Sequence, residues 1–300
     1  MAAPQQGENW RLAAMPVKGS SDLRVAVIVP CYREGELVAQ AVASVQEEEP
    51  VELVVVDDGS PDNATRAVLE ALPDDVARVV RHDSNQGLIA ARMTGLAETH
   101  APYLFPLDAD DLAAPGVLTR MADMLDRDPG AAVCFGDYEE FGSQNVVRAV
   151  PQTIDPYRLA YTNEYPVSAL FRRSALEAVG GWRSGGFAEA PYADWNLWIA
   201  LAELGARGVH LGERQITFHK RFHEGRMLDA ARRRHREMYR GLKRAHPRLF
   251  DQRGENRRSS DLSLPRKLLY PVVYGGRPRL PFERAVKLCL DRLGVWTLRR

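Results

Sequence analysis

Residues 103–111 read Tyr-Leu-Phe-Pro-Leu-Asp-Ala-Asp-Asp, a short apolar run that passes directly into three carboxylates. Such a run is typical of a buried strand of an α/β sheet, and ligands of open α/β sheets bind just beyond the carboxyl ends of the strands. Carboxylates this close repel one another unless a cation lies between them, and Mg²⁺ or Mn²⁺ prefers oxygen ligands of this kind. The stretch therefore predicts a metal site that bridges to a diphosphate, with a solvated acidic turn as the alternative.

The sequence before this stretch alternates between apolar, β-branched runs and helical patterns. Strands of nearly continuous Val, Ile and Leu that are separated by helices of 10–15 residues indicate βαβ units. The predicted fold class is therefore α/β, with a mainly parallel sheet flanked by helices. The pattern predicts strands at 24–30, 51–56, 76–81 and 103–107, and helices at 36–46, 63–72 and 87–99.

Polar residues follow each predicted strand. The turn after the first strand contains Tyr32, whose ring could stack on a base. The second strand is followed by Asp57-Asp58-Gly59, whose carboxylates could accept hydrogen bonds from a base or ribose, or form a plain Asp-Gly turn before the next helix. After the third strand, Asn85-Gln86-Gly87 opens a helix that carries Arg92, which could face a phosphate or solvent.

Several common nucleotide-binding patterns are missing from the sequence. It contains neither the Gly-x-Gly-x-x-Gly fingerprint nor a Gly-x-x-x-x-Gly-Lys-Ser/Thr loop, which disfavours dinucleotide redox chemistry and P-loop chemistry. It also has no helix-turn-helix or zinc-finger spacing. The sequence therefore predicts no nucleic-acid partner.

The charge of the chain is divided unevenly. Of its 300 residues 45% are hydrophobic and 27% are charged, a composition that supports a globular core. The net charge is zero, but residues 211–300 hold 24 Lys and Arg against 9 Asp and Glu, whereas the residues before them hold 16 and 31. The basic end could attract an anionic substrate or lipid headgroups, or be a solvated helical face.

The sequence predicts a reduced, cytoplasmic setting. Residues 1–22 lack the basic start and apolar centre of a signal peptide and are predicted to be a disordered tail. The three cysteines lie far apart and form neither a disulfide framework nor a Cys-x-x-Cys metal site. No apolar run approaches the roughly 20 residues that cross a bilayer.

Four segments together carry a resemblance to a known family. In the order of the chain they are VAVIVPCYRE (25–34), VVVDDGSPD (54–62), NQGLIAARMTG (85–95) and LDADD (107–111). The sequence resembles family 2 glycosyltransferases of the GT-A fold over roughly residues 24–225. Further segments that fit this resemblance are 166–173, 180–182, 193–198 and 221–223.

The resemblance implies a particular division of the chain. A GT-A domain would span 23–250, with a nucleotide-binding half at 23–112 and an acceptor half at 113–250. Residues 251–300 lie outside it and would form a helical, basic C-terminal extension. Docking of this extension on its own domain is expected, with a homodimer contact or a peripheral contact with the inner face of the membrane as alternatives.

The resemblance also implies a nucleotide-diphosphate sugar as donor, with UDP as the expected carrier and GDP or dTDP left open. Base and ribose would contact residues after the first two strands, and Asp108 would meet the ribose or the metal. Pro30, Tyr32, Glu34, Asp57, Asp58, Gly87, Arg92 and Asp108 are the expected donor-binding residues.

The resemblance also implies a metal ligand and a general base, at the positions that match the family's motifs. Asp110 would be the principal ligand of Mn²⁺ or Mg²⁺, and His223 would touch the diphosphate or complete the metal shell. Asp194 would be the general base of an inverting transfer, although an Asp at a helix start can also be only a cap. Two residues depart from the family pattern: Ala193 stands where a Glu is usual, and Lys220 stands where an aromatic residue is common.

Few residues of the sequence indicate the acceptor. Trp182 and Trp195 are expected near it, although Trp182 could equally fill the core. A glycan, a lipid-linked glycan or a small molecule could be the acceptor. Two alternatives to transfer are a non-catalytic sugar-nucleotide-binding scaffold of the same fold, which Ala193 favours, and a sugar-nucleotide pyrophosphorylase.

Overall fold

The apolar run before the three aspartates forms a central strand of a seven-stranded sheet. The computed structural model describes residues 23–183, 190–222, 235–274 and 289. The predicted tail at 1–22 and most of the extension beyond residue 274 therefore lie outside the described residues.

The elements predicted before residue 108 are confirmed, with small shifts of their ends. The strands at 25–31, 52–57 and 103–106 are mostly apolar and buried, whereas the strand at 78–81 reads Arg-Val-Val-Arg and is partly exposed. Each helix follows at a turn rich in Gly, Asp or Asn. In chain order they are β1 (Val25–Cys31), α1 (Glu36–Ser44), β2 (Glu52–Asp57), α2 (Asn63–Ala71), β3 (Arg78–Arg81), α3 (Leu88–Glu98) and β4 (Tyr103–Pro106).

The second half of the described chain contains short strands interleaved with helices. The elements up to residue 222 are β5 (Leu112–Ala113), α4 (Val117–Arg127), β6 (Ala131–Phe135), β7 (Asp137–Gly142), β8 (Val146–Arg148), α5 (Pro156–Leu159), β9 (Leu170–Arg172), α6 (Arg173–Val179), α7 (Ala190–Glu203), β10 (Arg207–His210) and β11 (Ile216–Phe222). The C-terminal helices are α8 (His235–Ala245), α9 (Pro247–Asp251), α10 (Arg253–Ser259) and α11 (Leu264–Tyr274).

The large sheet has the strand order β10-β6-β9-β4-β1-β2-β3. β4, β1, β2 and β3 are parallel neighbours, as predicted, and β10 is parallel to β6. β9 runs antiparallel to both β4 and β6, so the sheet is mixed. The carboxyl ends of β4, β1 and β2 consequently lie side by side at one edge, which is where ligands bind in such sheets.

A second sheet carries residues from distant parts of the chain to that edge. Its strand order is β5-β11-β7-β8. β5 follows the three aspartates directly, and its antiparallel pairing with β11 sets Leu112 opposite His219. This pairing places the residues near 220 beside the aspartates.

The C-terminal helices belong to the main hydrophobic core. Leu249, Leu262, Tyr270 and Val273 are buried in the same cluster as Trp198 of α7. The predicted docking of the extension on its own domain is therefore confirmed as far as residue 274. Within the described ranges, no helix is both long and apolar enough to cross a bilayer.

The loop after β2 depends on a glycine, and this gives a test of stability. Gly59 has φ +70°, and a Cβ there would lie 2.6 Å from the backbone carbonyl carbon of Ser84. We expect Gly59→Ala to cost about 2 kcal/mol or more in the free energy of unfolding, because backbone strain and a backbone clash add.

The matched control for that variant is Gly254→Ala in α10. A Cβ at Gly254 has no neighbour within 4 Å, and its φ is not positive. Because Ala favours a helix over Gly by about 1 kcal/mol, this control should be neutral or stabilising. Equal urea midpoints for the two variants would contradict the steric account of Gly59.

Candidate active site

Three aspartates converge at the carboxyl end of β4. One carboxylate oxygen from each of Asp108, Asp110 and Asp111 lies within 4.8 Å of the others. Asp111 is buried; its Oδ1 accepts a hydrogen bond of 2.7 Å from the Arg221 backbone N–H, while its Oδ2 has no partner among the described residues. The donor set consists of hard oxygens with an orphaned buried oxygen, which suits a divalent cation.

The electrostatics of the cluster show an excess of negative charge. Burial raises the pKa of Asp111 well above its usual range, and the charges of Asp110 and Asp108 raise it further. Lys220 and the Arg221 backbone N–H oppose this shift without cancelling it. A carboxyl group in such surroundings would be stabilised as an anion by an added cation.

Two basic residues of β11 face the cluster. Arg221 supports the turn through an Nε hydrogen bond of 2.9 Å to the Asp110 carbonyl oxygen, and its Nη2 donates to Gln40 at 2.8 Å. Burial lowers the pKa of Lys220, but the charges of Asp111 and Asp108 outweigh this and the pKa is raised. Sequence reasoning noted Lys220 only as a departure from the family pattern and did not place Arg221 at the aspartates. The strand that carries them pairs with residues 112–113, which are distant in sequence, and no local sequence pattern predicts this pairing.

Arg92, for which a phosphate contact or exposure to solvent was expected, lies buried between two carboxylates. Its side chain is 1% exposed, and its two terminal nitrogens each donate a hydrogen bond of 2.7 Å, one to Asp108 and one to Asp194. The guanidinium carbon also lies 5.8 Å from the ring centroid of Trp182. Burial would lower the pKa of Arg92, but the charges of Asp194 and Asp108 raise it overall, so the cation is retained.

This bridge brings the candidate base to the acidic cluster. Asp194 lies in the first turns of α7, which is far from α3 in sequence, and its side chain is partly buried. Burial raises the pKa of Asp194, while the charge of Arg92 lowers it in part. A carboxylate with a raised pKa is a stronger base than one at the surface.

The carboxylates after β2 are engaged within the protein. Asp57 Oδ1 accepts a hydrogen bond of 2.9 Å from the Ser60 backbone N–H. Asp58 accepts hydrogen bonds from the backbone N–H groups of Gln86 (2.8 Å) and Gly87 (2.7 Å), and its Oδ1 lies 2.7 Å from His82 Nδ1. Both aspartates therefore shape the loops around the predicted base pocket, and Gly87 is fixed by Asp58.

The turn after β1 is arranged beside these loops. Pro30 is buried within the strand, whereas Tyr32 is exposed and Glu34 is partly exposed. The Arg33 backbone N–H donates to Ser60 Oγ at 3.0 Å, which joins this turn to the one after β2. The open ring of Tyr32 is thus the feature of this turn that a base could reach.

Both tryptophans expected near the acceptor are core residues. Trp182 and Trp195 are 1% and 5% exposed. The Trp195 Nε1–H donates to the Leu159 carbonyl oxygen at 2.8 Å. Burial of this kind gives neither ring an open face toward an acceptor, so we assign neither to acceptor binding. His223, the other predicted metal ligand, lies outside the described residues.

Comparisons with solved structures show the fold. The crystal structure of S. aureus TarS 1–349 matches with a TM-score of 0.58 and 18% identity, over 90% of this chain and 75% of that one. The mannosyltransferase PcManGT from Pyrobaculum calidifontis, in complex with GDP-Man and Mn²⁺, matches with a TM-score of 0.54 and 17% identity, over 95% and 89% of the two chains. The predicted GT-A-like α/β fold is confirmed.

Sequence relatives agree with the fold. The succinoglycan biosynthesis protein ExoU of Rhizobium meliloti (strain 1021) is 39% identical over 107 residues, which are 35% of this chain and 30% of that protein. The poly-beta-1,6-N-acetyl-D-glucosamine synthase of Staphylococcus epidermidis is 24% identical over 187 residues, 58% and 45% of the two chains. The matched segments span less than half the length of these two relatives. Residues 26–180 match the family described as glycosyl transferase family 2, and the chain belongs to that family.

Proposed function

We propose that this protein transfers a sugar from a nucleotide-diphosphate donor to an acceptor hydroxyl group with inversion at the anomeric carbon. The observation that carries the proposal is the buried bridge from Asp108 through Arg92 to Asp194. It joins a carboxylate on the donor side of the sheet edge to a carboxylate suited to be a base. Family membership supports the same reaction class.

The donor would lie across the ends of β1, β2 and β4. Tyr32 would stack on the base, Pro30 and Glu34 would line the base and ribose, and the loops held by Asp57 and Asp58 would form the pocket wall. UDP is the proposed carrier. TarS structures in complex with UDP-GlcNAc and with UDP support this choice, whereas PcManGT was solved with GDP-Man.

The residues at the end of β4 fit a divalent cation. Asp110 would be the principal ligand of Mn²⁺ or Mg²⁺, with Asp108 and Asp111 beside it and His223 as a further candidate. A bound ion would stabilise the negative charge that gathers on the departing diphosphate. Arg221 would hold the Asp110 carbonyl, and therefore the turn, in place.

The chain's own chemistry at the acceptor is proton transfer. Asp194 would take the proton of the acceptor hydroxyl as that oxygen forms a bond to the anomeric carbon, and the bond from this carbon to the diphosphate oxygen would break on the opposite face. The electron pair leaves with the nucleoside diphosphate. General-base assistance of this type contributes about 10²–10⁴-fold. Arg92 would orient Asp194 through its hydrogen bond, and its charge favours the carboxylate form.

The acceptor is proposed to be a growing or lipid-linked glycan, with a small molecule as the alternative. The names of the relatives quoted above refer to polysaccharide synthesis, which supports a glycan. A place of action at the inner face of the membrane would fit a lipid-linked acceptor.

Slow hydrolysis of donors tests the reaction class without a known acceptor. Incubation with UDP-GlcNAc and with GDP-mannose should release the nucleoside diphosphate and a sugar of inverted configuration. The configuration is read from the NMR signal of the anomeric proton. Release of sugar 1-phosphate on addition of pyrophosphate would instead show a pyrophosphorylase. Donor binding without any turnover, with or without glycan acceptors, would favour the scaffold.

Lys220 gives a separate test of the metal site. Its positive charge acts on Asp111, Asp108 and Asp110, the groups that would bind the ion. We expect Lys220→Met to raise the affinity for Mn²⁺ in the absence of nucleotide by about tenfold. The variant removes a positive charge whose repulsion of the ion we take as roughly 1.4 kcal/mol. Isothermal titration calorimetry measures this directly. Unchanged or weaker binding, relative to the exposed control Lys243→Met, would contradict the prediction.

A further inference from the structure

The outer face of α11 is apolar along its whole length. Leu264, Leu268 and Val272 are 71%, 56% and 50% exposed. Their spacing of four residues places them in one row on the helix. Pro265 and Pro271, the neighbours of this row around the helix, add no charge. We call Leu264, Leu268 and Val272 the apolar row.

The row is held outward by the packing of the opposite face. Tyr270 and Val273 are buried in the core, and Tyr270 Oη donates to Glu164 at 2.5 Å. The Tyr157 hydroxyl donates to the Lys267 carbonyl oxygen at 2.6 Å, which fixes the middle of the helix. Single exposed aliphatic residues are ordinary, but a row of three on a fixed helix marks an interaction surface.

The surroundings of the row are basic. Residues 253–274 contain five Lys and Arg and two Asp and Glu, and one of the acidic residues, Asp261, is paired with Arg158 at 3.2 Å. Lys267 flanks the row, and its Nζ lies 3.3 Å from the Arg258 carbonyl oxygen at the end of α10, where Arg257 and Arg258 are exposed. An apolar row beside basic residues complements an anionic lipid surface, in which the row enters the headgroup boundary.

We propose that α11 docks this protein on an anionic membrane surface through the apolar row, with Lys267, Arg257 and Arg258 at the headgroups. The helix has 11 residues, about 16 Å, so it lies in the plane of the surface and does not cross it. This inference goes beyond the proposed transfer reaction and stands without it.

Docking through α11 would bring the candidate base near the membrane surface. α5 contacts both helices concerned: Tyr157 holds α11 through Lys267, and the Leu159 carbonyl accepts from Trp195, the residue after Asp194. α5 therefore links the docking helix to α7. Membrane docking through α11 would suit an acceptor anchored in the same lipid surface, and in this respect the inference rests on the proposed function.

Sedimentation with vesicles tests the docking. The full chain is mixed with vesicles of phosphatidylglycerol and phosphatidylcholine in equal amounts, and with vesicles of phosphatidylcholine alone. We expect binding to the anionic vesicles that weakens as salt is added, and a loss of about tenfold in partitioning for the triple variant L264S/L268S/V272S. The matched control is Leu204→Ser in the turn just after α7, because Leu204 is 53% exposed and outside the row. Donor hydrolysis by the triple variant should equal that of the parent, which separates this proposal from the proposed reaction.

Several results would overturn the docking proposal. One is no binding of the parent to anionic vesicles, and another is equal binding by the triple variant and the parent. A parent dimer that the triple variant converts to a monomer, measured by light scattering, would assign the row to a second copy of the chain. The melting temperature could also be measured without vesicles. If it fell in the triple variant but not in Leu204→Ser, the row would already be covered by this chain or by a second copy of it.

Discussion

Asp194→Asn is expected to lose transfer while keeping nucleotide binding. The asparagine is nearly isosteric and its Oδ1 can still accept the 2.7 Å hydrogen bond from Arg92, so the site should keep its shape. It cannot take a proton from the acceptor, and kcat for donor turnover should fall by about 10²–10⁴-fold. Steady-state release of nucleoside diphosphate measures kcat, and calorimetry with the nucleotide measures binding.

The control for this variant is Asp128→Asn. Asp128 also pairs with an arginine, Arg207, but at the protein surface, so its loss should leave kcat unchanged. If Asp194→Asn turned over donor and acceptor at a rate within about twofold of the parent, Asp194 would not be the base. Loss of nucleotide binding in Asp194→Asn would instead show that the residue has a structural role.

Arg92→Met is expected to have the largest effect on stability. It removes the cation between Asp108 and Asp194 and leaves two largely buried carboxylates without a counter-charge. Breaking a buried ion pair from one side costs about 3–5 kcal/mol in the free energy of unfolding. Urea unfolding of this variant should be compared with that of Arg207→Met, where the exposed pair with Asp128 should cost about 1 kcal/mol at most.

The pH dependence of this loss has a definite sign. In the parent, burial raises the pKa of Asp108, but the charge of Arg92 outweighs burial and the pKa is lowered. The resulting stabilisation is present above the pKa of the unfolded state and is lost as pH falls through the pKa of the folded state. Removing Arg92 leaves burial, opposed only by the charge of Lys220, so we expect the folded pKa of Asp108 to rise and stability to be lost as pH rises through it. The cost of Arg92→Met should therefore be larger at pH 7 than at pH 5. An equal cost at both pH values, or a cost equal to that of Arg207→Met, would contradict the bridge.

The first half of the fold could be predicted because its signals are local. β1, β2 and β4 are apolar runs, the helices between them have the length of βαβ crossovers, and the polar turns lie at the strand ends. The parallel order of these strands then brings the turns to one edge. For the same reason, the clustering of Asp108, Asp110 and Asp111 could be predicted, since all three lie within four consecutive positions of the sequence.

The second sheet could not be predicted in this way. β5 has two residues, and its partner β11 comes about a hundred positions later. Pairing between such short strands is decided by the packing of the whole domain and leaves no periodic pattern in the sequence. The placement of Lys220 and Arg221 beside the aspartates depends on this pairing.

The role of Arg92 could not be predicted from the sequence either. Its helix was predicted, but its partners lie 16 and 102 positions away. Gly95 lets α3 approach β1 closely, since a Cβ there would lie 2.3 Å from the Ile28 side chain. This close approach buries Arg92 against the sheet instead of leaving it exposed to a phosphate.

We propose that a nucleotide binds with a metal ion at the end of β4, and thermal unfolding tests this binding most directly. The parent and Asp110→Ala are heated with UDP, GDP, dTDP or CDP, each with and without Mn²⁺, and Asp123→Ala of α4 is the control. We expect one nucleotide, UDP, to raise the melting temperature of the parent and the control by about 5 °C with Mn²⁺, and to have no effect on Asp110→Ala. A parent protein whose melting temperature is unchanged by every nucleotide, with metal and without, would contradict the account.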